Sequence, residues 1–219
     1  MSAKTAPLNL ILACEGETER RYFNGLFRST DLLRDNVNIR FARVKGSDLG
    51  SLIRAAENER KVVGNIGSVS TWVVCDMDAN RQADLNSALN WLGGRPDRGV
   101  ALTNPCIEQW FLTYLQDKPK QLNSCSDYED ALTQELPGYT KKQKAALPSE
   151  LVDWDATVQA VNRGWRRLRE INVPENASVV SALRSVWRRD NRSMMPLLFS
   201  HVAGAVNKRA GKSLITFGD

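Results

Sequence analysis

Three carboxylates in two short stretches have the types and spacing to do chemistry. The run Thr71-Trp72-Val73-Val74-Cys75-Asp76-Met77-Asp78 is apolar and rich in β-branched residues, ends in two acids one residue apart, and is followed at once by polar, turn-type sequence. In an extended backbone residues i and i+2 point the same way, so Asp76 and Asp78 can converge on one point. Two adjacent carboxylates repel unless something positive sits between them, and a hard divalent cation, Mg²⁺ or Mn²⁺, suits an all-oxygen site and needs few protein ligands. Asp also caps turns and helix starts, and the spacing by itself leaves both readings open. The second stretch is Leu8 to Cys14, which runs directly into Glu15-Gly16-Glu17-Thr18-Glu19. Glycine at 16 lets the backbone turn, and Glu17 and Glu19 fall in a first helical turn, where acids offset the macrodipole. Glu15 lies before the glycine, gains little from capping, and would face the same edge as Asp76 and Asp78.

The elements that must position these acids can be read from periodicity. Leu8 to Cys14 reads as a strand, and the helix after it carries Tyr22, Phe23, Leu26 and Phe27 at helical spacing. A second strand is expected over 36–44, a helix over 47–63, the acid-bearing strand third, a helix over 81–92 closed by Gly93-Gly94, and a fourth strand over 99–103. Asn104-Pro105 then reads as a cap and first helical position. Ile107, Trp110, Phe111, Tyr114 and Leu115 make an i, i+3, i+4, i+7, i+8 core stripe behind it, and Glu108, off the stripe, reads as a first-turn acid. Strand and helix alternation implies an α/β fold, a parallel, doubly wound sheet with helices on both faces and the acid-bearing strand ends along one edge. Beyond Gln116 no strand is expected. Helices are expected over 128–135, 141–147, 155–171, 177–189 and 195–208, giving a core over 1–122 and a C-terminal helical subdomain, 123–219, packed on it.

Composition narrows the function classes. The 219 residues carry a formal charge of +5. Residues 1–116 hold 14 Lys/Arg against 13 Asp/Glu and residues 117–219 hold 16 against 12, so most of the surplus is in the second half. This bias permits a nucleic-acid partner without demanding one. Cys14, Cys75, Cys106 and Cys125 show no CxxC spacing, and with His201 the only histidine there is no zinc set and no Ser/His or Cys/His nucleophile. No signal peptide or membrane span is visible, and the expected location is the cytoplasm. Gly211-Lys212-Ser213 resembles the end of a Walker A loop, but Val206 stands where its first glycine is required. Two arginine-rich helical stretches, one with Arg166 and Arg167 and one with Arg188 and Arg189, read either as solvated faces or as a phosphate-gripping surface.

Three ordered blocks carry a resemblance. Cys14-Glu15-Gly16-Glu17-Thr18-Glu19 with Tyr22-Phe23, then Val74-Cys75-Asp76-Met77-Asp78, then Thr103-Asn104-Pro105-Cys106-Ile107-Glu108-Gln109-Trp110-Phe111-Leu112 resemble the RloB-like family of Toprim-domain proteins, with a weaker match at Tyr139 and Lys141 or Lys142. The resemblance implies a Toprim-like fold, shared with the overcoming-lysogenization-defect nucleases, in which Glu15 is a metal ligand or general acid/base and Asp76 and Asp78 hold Mg²⁺. It gives Glu19, Asn104 and Glu108 supporting places. Ala79-Asn80 stands where a further acid is often found, which puts a second metal in doubt. The expectation is a metal-dependent nuclease acting on DNA or RNA in an anti-phage defence system. The alternative is a catalytically degenerate Toprim subunit that binds nucleic acid or an ATPase partner. Nucleic acid, an ATPase partner subunit and a second copy of the chain are the partners this reading admits; a membrane is not one.

Overall fold

Leu8–Cys14 forms β1 and Ser68–Asp76 forms β3, and both are buried along nearly their whole length, as parallel strands covered on two faces must be. The computed structural model describes residues 6–64, 67–77, 82–140, 146–188 and 192–217. With β2 (Val37–Phe41) and β4 (Arg98–Asn104), β1 and β3 make a parallel array, and β5 (Arg192–Ser193) adds to β4 antiparallel, giving the order β2-β1-β3-β4-β5. The protein is therefore an α/β fold with a mixed, mostly parallel sheet. β2 alternates exposed with more buried residues, as befits an edge strand with one wetter face.

The chain runs outward from β1 to β2, returns across β1 to β3, and continues to β4, so its winding reverses between β1 and β3. α1 (Glu17–Ser29) and α2 (Asp31–Asn36) fill the first crossover, α3 (Leu49–Val63) the second and α4 (Gln82–Leu92) the third. Right-handed crossovers in opposite directions place α1 and α3 on opposite faces. The side chains agree: Arg60 of α3 donates to Thr71 Oγ1 at 3.0 Å, whereas the neighbouring Trp72 faces the other way, its ring 5.6 Å from that of His201. Gly99, in register with Trp72, leaves room for the indole; a Cβ there would sit 2.3 Å from the ring.

α5 (Ile107–Leu115) departs from the expected one-sided stripe, because Ile107 through Tyr114 are all buried. It lies between the sheet and the C-terminal helices α6 (Cys125–Glu135) and α7 (Trp154–Arg169), so both sides are covered. A buried polar chain ties the layers together: Trp110 Nε1 donates to Tyr22 Oη at 3.0 Å, Tyr22 and Tyr114 share a hydroxyl hydrogen bond, and Tyr114 pairs with Thr157 Oγ1 at 2.9 Å. Burial pushes the Tyr22 and Tyr114 phenols up, and both act as neutral groups. α8 (Val179–Val186) and α9 (Met195–Ala210) complete the C-terminal half, whose apolar residues join those of the sheet in one continuous core.

Four local expectations change. Arg192 and Ser193 form a strand where none was expected, because two residues are too short to show a period. α2 is a six-residue helix capped by Thr30, whose Oγ1 accepts from the Leu32 N–H. Asn104 is the last residue of β4 and not a helix cap; a cis peptide joins it to Pro105, and α5 starts behind Cys106. Of the helix expected over 141–147, residues 141–145 lie outside the described residues, and Ala146 and Leu147 are not helical.

Candidate functional site

The carboxyl ends of β1 and β3 lie side by side, with Cys14 in register with Val74, and this is where the winding of the sheet reverses. Ligand sites of open α/β sheets form in the crevice beyond the strand ends at that reversal. The first residue past β1 is Glu15. Its N–H donates to Val74 O at 3.0 Å, continuing the ladder, and its carboxylate Oε2 accepts the N–H of Asp76, also at 3.0 Å. The Glu15 carboxylate thus folds over the carboxyl end of β3, at the backbone of its last residue, Asp76. Asp76 is only 8% exposed. The chain beyond it is pinned by Met77 N–H, which bridges Thr103 O and Pro105 O at 2.9 Å each. Asp78, the other half of the pair, lies outside the described residues.

Glu19 belongs to this cluster more closely than a first-turn acid would. Glu17 has 69% of its side chain exposed, whereas Glu19 is 4% exposed. The Glu19 carboxylate doubles back over Gly16, where a Cβ would meet its Oε2 at 2.7 Å. Gly16 itself is extended, with φ −125° and ψ 175°, so it is needed for space and not for a turn. The spacing signal was present in the sequence: glycine at an N-cap with glutamate three residues on is the geometry in which the glutamate reaches back over the helix start.

Glu108 is fully buried and accepts the Tyr139 hydroxyl at 2.7 Å. Burial pushes the Tyr139 phenol well up, and the negative charge of Glu108 adds to this, so the phenol remains a donor. Negative charge from Glu19 and Asp76 reaches the same neighbourhood: Glu19 adds to the upward push on Tyr139, and Asp76 adds, behind the hydrogen bond with Cys125, burial and Glu108, to that on the Cys106 thiol. The Cys75 thiol, raised first by burial, also feels Glu15, Asp76 and Glu19. Glu15, Asp76, Glu19 and Glu108 therefore form one electronegative region at the carboxyl edge. Asn104 closes it on the β4 side, 6% exposed and in register with Arg192.

The arginines expected to grip phosphate are split. Arg166 is half exposed and lies 3.8 Å from Asp117, and Arg188 is exposed. Arg167 turns inward and is 6% exposed; burial, helped by the nearby Arg192 charge, lowers its guanidinium to about 10. That position removes Arg167 from a solvent-facing phosphate grip, for a reason the run of arginines hid: on a helix packed on one side, adjacent residues face different ways. Arg189 lies outside the described residues. Arg163 caps α5 instead, donating to Thr113 O and Tyr114 O.

No group of three His, Cys, Asp or Glu side chains among the described residues is disposed to hold a metal, and Asp78 is not among them. No described helix is long and apolar enough to cross a membrane. A cavity of about 330 Å³ lined by Trp72, Trp165 and His201 lies toward the amino ends of β3 and β4, away from the acids.

No curated protein and no solved structure matches the chain. A family model does: the one described as RloB-like protein matches residues 10–185, a span that takes in both acidic blocks, the Asn104–Glu108 block and most of the helical half. The chain belongs to the RloB-like family.

Proposed function

We propose that this RloB-like protein is a Toprim-type nuclease that hydrolyses phosphodiester bonds of DNA or RNA with Mg²⁺ or Mn²⁺, and that it serves in anti-phage defence, alone or beside an ATPase partner. The observation that carries the proposal is the Asp76 N–H to Glu15 Oε2 hydrogen bond, which brings acids from two strands together where the sheet reverses its winding.

The donor set fits a hard cation. Every side chain of the cluster that could bind a metal offers carboxylate oxygen, and Mg²⁺ is commonly held by one or two carboxylates, with water and substrate completing its shell. Asp76, with Asp78 two residues on, would hold it, and Glu15 lies next to them. A bound ion would supply charge neutralisation at the scissile phosphate, the main requirement of hydrolysis without histidine. The chain's own residues do the rest. The hydrogen bond from Asp76 N–H fixes the orientation of the Glu15 carboxylate, as a group that moves a proton requires. Buried Glu19 and Glu108 sustain the negative field that draws a cation to the edge, and the Tyr139 hydroxyl holds Glu108 in place.

The test is calorimetric titration of the purified protein with Mn²⁺ and Mg²⁺, with cleavage assays on plasmid DNA and tRNA. Metal binding with metal-dependent cleavage that disappears in Asp76→Asn is expected. Inertness towards every substrate class, with no metal bound, would overturn the nuclease reading in favour of a subunit that only binds nucleic acid or an ATPase.

A further inference from the structure

A site that cuts a polyanion at an acidic edge needs cations beside the acids, and the topology places a set there at the β2 edge of the sheet. The ladder pairs Phe41 with Leu12, and Ala42 N–H donating to Leu12 O at 2.9 Å keeps the chain alongside β1 past the end of β2. Continued by two residues, that register sets Arg43 beside Cys14, one strand spacing from the residue preceding Glu15 and roughly 10 Å, two spacings, from β3. Arg43 and Lys45 are exposed, and neither side chain makes an ion pair or hydrogen bond among the described residues. Arg20 joins them from α1, its guanidinium 5.4 Å from the centre of the Phe41 ring. This contact puts Phe41 on the α1 face of the sheet, and strand alternation carries Arg43 to the same side. Asp76 shares that face, because it lies four residues from Trp72, which packs toward α9. Between Arg20, Arg21 and Phe41 runs an open groove of about 220 Å³.

From this juxtaposition we infer that Arg20, Arg43 and Lys45 form the backbone-phosphate track that leads nucleic acid across β2 and β1 onto the acidic edge. The inference deepens the nuclease reading by assigning the substrate grip to named residues outside the acidic cluster. Arg43 and Lys45 are unpaired among the described residues, and Arg20 has only a 3.8 Å ion pair with the exposed Glu17, which also lines the groove. Arg40, by contrast, is engaged by Glu59 of α3 at 2.9 Å and belongs to the other face. Contacts of this kind hold phosphates and not base edges, so the track binds without regard to sequence.

The experiment is fluorescence anisotropy with labelled 20-mers of single-stranded DNA, single-stranded RNA and duplex DNA, over a salt series in Ca²⁺, for Arg20→Gln, Arg43→Gln and Lys45→Gln. Arg34→Gln on α2 is the control for loss of one surface charge. Each track variant is expected to weaken binding about three- to tenfold and to make log affinity against log salt shallower by about 0.7 to 0.9 per contact, while the control changes neither. Unchanged affinity and slope in the three track variants, or equal losses in Arg34→Gln, would overturn the track. If the unmodified chain cleaves and binds but the track variants match it, only this inference fails. If it binds none of the three nucleic acids even at low salt, the nuclease reading fails with it.

Discussion

Gly16→Ala offers a clean test of how the acidic edge is built. The backbone at Gly16 has φ −125° and ψ 175°, a conformation open to alanine, so the substitution introduces no backbone strain. It introduces a methyl group 2.7 Å from Glu19 Oε2, with Cδ at 3.6 Å and Oε1 at 3.8 Å. Ordinary contact begins at 3.4 Å, so the carboxylate must retreat by about 0.7 Å. As the end of a flexible side chain it can move, but it is 4% exposed, and displacing a buried carboxylate from its packed place costs about 1–3 kcal/mol. Exchanging glycine for alanine at an N-cap adds up to about 1 kcal/mol. The expected loss is therefore roughly 1–4 kcal/mol, read from urea unfolding in EDTA. In a Glu19→Ala background the methyl enters space already cleared, and only the cap cost of about 1 kcal/mol remains. The four chains of the cycle should thus show a coupling of roughly 1–3 kcal/mol between positions 16 and 19. Additivity within about 0.5 kcal/mol would refute the claim that glycine is there to seat the Glu19 carboxylate.

Glu15→Ala removes the acceptor of the Asp76 N–H and should cost about 1–3 kcal/mol, whereas Glu15→Gln keeps an oxygen for that bond and should stay within about 0.5 kcal/mol; both should lose cleavage, as stopped turnover assays beside urea unfolding would show. Arg167→Gln should destabilise by about 1–3 kcal/mol because it disturbs a buried group, while Arg166→Gln and Arg188→Gln should change unfolding by no more than about 0.5 kcal/mol. Burial lowers the His201 imidazole below its ordinary 6.5, against a smaller opposing pull from Asp97, and its Nε2 is hydrogen-bonded to Ser70 Oγ at 2.7 Å. The unfolded chain then binds the proton more readily, so this contribution to stability is complete above pH 6.5 and is lost as the pH falls through 6.5 toward the lower folded value. Melting temperatures from pH 8 to 5 should show a fall below 6.5 that is smaller in His201→Gln.

Long periodic segments made the frame legible. Four apolar runs alternating with helical stripes gave the parallel sheet and its carboxyl edge, and Glu15 and Asp76 meet there because strand ends are fixed by topology more than by local detail. What sequence hid was set by tertiary packing. The core stripe of α5 was visible, but its burial on every side depends on α6 and α7 arriving later in the chain. Glu19 looked like a dipole-compensating acid because Glu17 truly is one; which of two first-turn acids turns inward depends on the neighbouring strand ends. Arg167 looked solvated beside Arg166, and only the helix's packed side separates them. β5 is two residues long and gains its identity from β4, so no pattern of its own could announce it.

The central claim, that the β1 and β3 carboxyl ends form a divalent-metal site for phosphodiester hydrolysis, is tested most directly by anomalous diffraction from crystals soaked in Mn²⁺. The account predicts a peak at that edge, within roughly 2.0–2.4 Å of an Asp76 carboxylate oxygen and next to Glu15, and no such peak in crystals of Asp76→Asn. A strong peak elsewhere on the chain, or none at this edge at millimolar Mn²⁺, would contradict it.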